Sequence, residues 1–431
     1  MLTQRARAAW RSVEAASLHL YKMHRPRYWI GALAVLIVAT LIAPYVEDQL
    51  GIVKLRYGLY QQMTQLEWRP LLPRFVKVVL IGDREHWGSE LQGIVPIKRE
   101  YLARLVDKLA ADNATVIALD FDVRLTTRNA RGTLAEIPSS TLDGVKKLVH
   151  SIIAAADAGH RIVLSKTIDF SDKGGYRLIP DIYQAFGICT TLSPDGSWQN
   201  PGSKPEFVIS ARAARNITCG YIALPYDMRV LPPPILLDTG QHLESFSLAV
   251  AKQRAPKLAS KVSENAYYGS YIPPPTMEAY NVAIPSSDLL SPSTDTANLI
   301  YGNAVIVGAQ WHGKAYGVGE IVDLHPTPIG PISGALIHEN FAEAILDSRI
   351  FGYVPDWGLR LLEVLFGIVA AVAFALYADI WTKAAIFVGL CAVLVATQWL
   401  MLQIFGTFFE AFVPLMGLAL HSVIERLAGQ H

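Results

Sequence analysis

From Leu359 to the end, the chain is almost continuously apolar. It runs in three stretches, Leu359 to Tyr377, Ala384 to Gln403 and Thr407 to Ile424. A fourth stretch, opening YWIGALAVLIVATLI, runs from Tyr28 to Val46 without a charge. Each approaches the roughly 20 residues that a helix needs to cross a hydrocarbon core about 30 Å thick. A backbone in lipid must satisfy its own hydrogen bonds, so such runs are expected as helices. They bracket one large polar-faced segment. The composition agrees: 17% of residues are charged and 52% apolar, where soluble domains run nearer a quarter charged. With 38 Lys+Arg against 37 Asp+Glu, there is no basic field to draw a nucleic acid.

The positive-inside rule orients these spans. Arg5, Arg7, Arg11, Lys22, Arg25 and Arg27 precede the first stretch, Lys383 lies between the second and third, and Arg426 follows the last. The predicted layout is a cytoplasmic basic segment at 1–27, an anchor at 28–46 and an external domain at 47–357. A three-helix transmembrane region at 358–425 and a cytoplasmic tail at 426–431 complete it. No A-x-A-like site closes the first apolar run, which favours an uncleaved anchor over a removed signal peptide. Ala8 to Leu20 reads either as an amphipathic surface helix or as a disordered basic tail. Glu363 and Glu410 stand near the starts of their stretches, within reach of the interface.

The external segment alternates apolar strand patterns with amphipathic helices. Strands are expected at Val76 to Asp83, Thr115 to Asp122, His160 to Ile168, the start of Asn216 to Asp227, and Asn303 to Gln310. Helices are expected at Lys98 to Ala110, Leu142 to Gly159, Gly240 to Gln253 and Ala335 to Ser348. The fold class is therefore α/β, a mainly parallel sheet covered on both faces, joined to four membrane helices. Tyr267 to Thr296, rich in Tyr, Pro and Ser, reads as hairpins or loop. Cys189 and Cys219 permit one disulfide in an oxidising compartment; free buried thiols are the alternative.

Parallel sheets bind ligands outside the carboxyl ends of their strands. Here those ends carry Asp83, then Asp120 and Asp122 on one strand face, and His312. Converging carboxylates suit a divalent cation, an amine or a guanidinium group. The competing reading is structural: the acids cap helices or pair with Arg84, Arg99 and Arg124. No hydrolase elbow, zinc-protease motif or phosphate loop is present, so no catalytic residue and no cofactor are assigned, and the metal is left unknown. DLHPTPIGPISG, from Asp323, is expected as an extended, turn-rich strap stiffened by Pro326, Pro328 and Pro331, with Gly334 bending it into a helix. Ile337, Phe341, Ile345 and Leu346 form the apolar stripe of that helix. His338 at its start reads as a ligand contact or as a partner of loop backbone. Pro328, Gly334 and Phe341 are the residues expected to couple domain to membrane.

Two stretches resemble a known family. VKVVLIGDREHW with LARLVDKLAADNATVIALDFDV, and DLHPTPIGPISGALIHENFAEAIL, are similar to the opening and closing segments of the CHASE family, second type, the sensory extracellular domain associated with cyclases and histidine kinases. The resemblance covers most of residues 45–425, including three trailing helices. It implies a periplasmic domain sensing an unknown external ligand, in a multi-pass protein of the bacterial inner membrane with both termini cytoplasmic. In the family the chain usually continues into a cyclase or kinase. Here it stops at His431, so the expectation is a non-enzymatic sensory or regulatory subunit acting on a separate membrane or cytoplasmic output protein. The alternative is a scaffold subunit of an envelope complex. Homo-oligomerisation is compatible with either.

Overall fold

The computed structural model describes residues 30–39, 41, 52–123, 139–171, 174–193, 197–199, 208–225, 228–260, 262, 267–376, 380–407 and 412–428. The basic segment 1–27, the flanks of the anchor, Arg124, Glu410 and the end of the tail lie outside them. The chain divides into two compact units, Tyr60–Tyr353 and the remainder on either side of it.

In the first unit, six strands form one sheet: β1 (Val76–Gly82), β2 (Val116–Leu119), β3 (Arg161–Lys166), β4 (Ile217–Tyr221), β5 (Ala283–Pro285) and β6 (Ala304–Gln310). Their spatial order is β5-β1-β6-β2-β3-β4, with every neighbouring pair parallel. The central strands are runs of Val, Ile and Leu because helices cover both faces. Val79, Ile81, Ile117, Leu119, Ile162, Leu164, Val305 and Val307 join one core with α2 (Arg99–Ala111) and α3 (Ser139–Ala158). The other face packs against α4 (Phe246–Arg254) and α5 (Gly334–Leu346). Gly308 belongs to that second face. A Cβ there would fall 2.3 Å from the Cβ of Ala335, so only glycine lets α5 sit this close to β6.

Three expectations are corrected. The strand of TVIALDFD ends at Leu119, so Asp120 and Asp122 lie beyond it in irregular chain. The Tyr/Pro/Ser-rich region holds β5, a three-residue edge strand closed by Pro285, and edges are where proline is tolerated in a sheet. The strap is a β-hairpin. Leu324–Thr327 pairs with Gly330–Ser333, and Pro328 and Ile329 form its turn.

The helix α5 also differs. An amphipathic stripe was expected, yet all thirteen residues are buried. Asn340 and Glu343 are satisfied by different parts of the chain, while both Glu339 carboxylate oxygens are buried without a hydrogen-bond partner among the described residues. Asn340 accepts from the Ile272 N–H (2.8 Å) and donates to the Ser270 carbonyl (2.9 Å). The Glu343 carboxylate accepts the N–H groups of Arg74 (2.6 Å), Phe75 (3.1 Å) and Val76 (2.9 Å), fastening the start of β1. Cys189 and Cys219 form a disulfide, Cα–Cα 6.3 Å, between a loop and β4.

The second unit contains the helix Ile30–Ala39, α6 (Asp356–Leu376), α7 (Ile380–Phe405) and α8 (Phe412–Ala428). Among the described residues two helices, α6 and α7, are long and apolar enough to cross a membrane, against the four expected. The helices pack through Ala32, Leu36, Ala370, Phe374, Leu415 and Leu418. Glu363, near the start of α6, pairs with Arg360 at 3.1 Å.

Candidate functional site

A cleft of about 480 Å³ opens beyond the carboxyl ends of β2, β3, β4 and β6. Its walls are mostly apolar: Val95, Ile97, Phe121, Ile168, Ile222, Leu224 and Trp311. Against them stand Asp120, Asp122, Asp323, Arg99, His325 and His338.

Local structure places each polar group. Asp120 continues the alternation of Val116 and Ala118, so it faces α5; its Oδ2 lies 3.8 Å from where a Cβ on Gly308 would be. Burial, with Asp323 adding repulsion, raises the Asp120 carboxyl well above the usual carboxylate range. Among the described residues its carboxyl has no hydrogen-bond partner. Asp122 accepts from the Thr167 hydroxyl at 3.1 Å. Arg99 is buried and interacts with Tyr183 and Asp122.

Asp323 sits at φ 61°, a left-handed conformation that aspartate tolerates better than most residues. This turns its carboxylate back over the start of α5. A Cβ on Gly334 would lie 2.3 Å from Asp323 Oδ2, so glycine is needed there for space. That corrects the expectation that Gly334 serves a bend. The Asp323 carbonyl accepts the Gly334 N–H at 2.9 Å, and its carboxylate pairs with His325 Nε2 at 2.8 Å. A carboxylate at this position meets the positive end of the helix dipole. His338, one turn on, bonds Ser247 Oγ through Nδ1 (2.9 Å) and interacts with the Ile222 backbone. Burial pushes its imidazole down to about 4, so it is neutral in ordinary conditions.

The five candidate side chains divide. Asp120, Asp122 and His338 line the cleft. Asp83 and His312 do not. They bind each other, with Asp83 accepting the His312 N–H (2.7 Å) and meeting its Nδ1 (2.6 Å). Burial pushes Asp83 up, but the His312 backbone and ring outweigh it and leave its carboxyl below the usual range. This pair latches the ends of β1 and β6. Arg84 pairs with Asp288 at 3.8 Å and leaves Asp83 to His312. Among the described residues no three His, Cys, Asp or Glu side chains come together in a metal-holding group. Asp323, His325 and Arg99 escaped the sequence reading as cleft residues. The available signal was DLH directly before the hairpin and the glycine-started helix.

The molecule thus combines a three-layer α/β domain, bearing an acidic cleft at its strand ends, with apolar membrane-length helices: the outline of a membrane-bound sensory module. The chain belongs to the CHASE2 family, whose domain model matches residues 32–377. A CHASE2 domain is a non-catalytic sensory domain. No curated protein and no solved structure matched the chain.

Proposed function

We propose that the chain is a membrane-anchored sensory subunit in which ligand held in the cleft shifts the ends of the domain, and through its membrane helices a separate output protein. The observation that carries this reading is the make-up of one cleft wall. Val322, Asp323 and His325 begin the hairpin, and Gly334 and His338 begin α5. Both elements lead to the domain ends. At the hairpin turn the Ile329 carbonyl accepts from Gln61, in the helix α1 (Ile52–Gln65). Beyond α5, Asp347 meets Arg69 at 3.3 Å, and Arg349 forms a buried pair with Glu67. The two chain ends are therefore cross-tied, and the cleft shares a wall with both ties. Prolines 326, 328 and 331 stiffen the hairpin, which favours transmitting displacement over absorbing it.

In this reading Asp120, Asp122 and His338 contact the ligand, while Pro328, Gly334 and Phe341 belong to the coupling. The helix Ile30–Ala39 and α8 act with α6 and α7 as four spans, since all share one apolar core. The basic N-terminal segment holds both termini in the cytoplasm and the domain outside. Gly334→Val tests the coupling. The added side chain drives Asp323 off the start of α5 while leaving the membrane sequence intact. The variant is expected to reach the membrane at parental levels but to change which proteins co-purify in mild detergent, or their ratio. Unchanged co-purification would reduce the hairpin to a tether.

A further inference from the structure

We infer that the cleft recognises a small amphiphilic cation, a single ammonium or amidinium group carried on a compact apolar body. This rests on the cleft being the sensory site and specifies its ligand class. The charges facing the cleft are Asp120, Asp122, Asp323, Arg99, His325 and His338. Two of the acids already have basic partners. Asp122 stands with Arg99, and Asp323 with His325 at 2.8 Å. His338 is held neutral on Ser247 and the Ile222 backbone. Asp120 has neither a cation nor a hydrogen-bond donor among the described residues. It is half-buried, faces a cavity large enough for a small molecule and has a second carboxylate nearby. One donor-rich positive group between Asp120 and Asp323 satisfies both acids. The surrounding Val, Ile, Leu, Phe and Trp side chains leave little for a second charge to bind, so the rest of the ligand is apolar. Among the described residues the wall offers an anionic ligand no cation that lacks an acidic partner, and Asp120 opposes it.

Burial and the nearby Asp323 both disfavour the ionised form of Asp120, and a cation seated against it relieves that cost.

Three probes of one shape separate the possibilities: phenethylamine, 2-phenylethanol and 3-phenylpropionate, titrated calorimetrically into the full chain in nanodiscs at pH 7.5. Ala223→Trp, which fills the cleft from an exposed irregular position on its rim, gives the lipid-partition blank. The amine is expected to bind at least tenfold tighter than the alcohol. Asp120→Asn is expected to remove that tenfold preference. Equal binding of amine and alcohol, preference for the carboxylate, or no cleft-dependent binding of any probe would overturn the cationic ligand. The sensory reading fails separately, if filling the cleft leaves the domain ends unchanged.

Discussion

His338 shows how one side chain serves packing and charge together. Its neutral ring is buried among Ser247, the Ile222 backbone and the Phe246 ring, which meets it in a T-shaped contact with centroids 5.2 Å apart. Its folded pKa lies near 4, below the unfolded value of about 6.5, so it favours unfolding as pH falls through that window. Acid titration of stability should therefore show a limb between pH 6.5 and 4 that His338→Gln flattens, by up to roughly 3 kcal/mol. Asp120 has the opposite sign. Its raised pKa makes its contribution full below the ordinary carboxylate value and lost as pH rises. Asp120→Asn should therefore raise Tm at pH 7.5 and leave it unchanged near pH 4, as read by calorimetry with no ligand. Phe341 is fully buried against Tyr271, with ring centroids 5.9 Å apart, and Phe341→Ala should cost about 3–5 kcal/mol in denaturant titrations.

Among the elements, the disulfide spans 30 residues of sequence. Closing a loop of that length is worth about 3–4 kcal/mol in the chain-entropy model. Cys189→Ser with Cys219→Ser should lower stability by that order, and alkylation of the parent without reductant should label neither thiol. The long strands and their helices were legible in sequence because burial on both faces writes them as apolar runs of fixed period. The edge strand β5 was not, since three residues ending in Pro285 carry no period. The full burial of α5 was hidden as well. Asn340 and Glu343 look like a solvent face until the partners at 270, 272 and 74–76 are known, and those pairings come from tertiary contact alone. Half of the site was readable for the same reason. Asp120 and Asp122 follow from strand alternation and strand-end logic. Asp323 enters the cleft only because a left-handed turn and the missing Cβ of Gly334 let its carboxylate fold over α5. Asp83 is absent from the cleft lining, and its carboxylate is held by the His312 N–H and ring, supplied by a distant strand end.

At the scale of the whole molecule, topology and coupling are separable. Reporter fusions at Thr141 and His431 should signal opposite sides of the membrane, the first outside and the second in the cytoplasm; the same side for both would remove the proposed four-span arrangement. Coupling asks more of the structure. The cleft wall, the hairpin turn on Gln61, and the pairs Glu67–Arg349 and Arg69–Asp347 must shift as a connected set. Hydrogen exchange on the full chain in nanodiscs, comparing the parent with Ala223→Trp, tests this most directly. Filling the cleft is predicted to change protection severalfold in α1 and in residues 347–352, with β1 and β3 unchanged. Altered exchange confined to residues lining the cleft would contradict the account and leave the CHASE2 domain here without a mechanical route to its membrane helices.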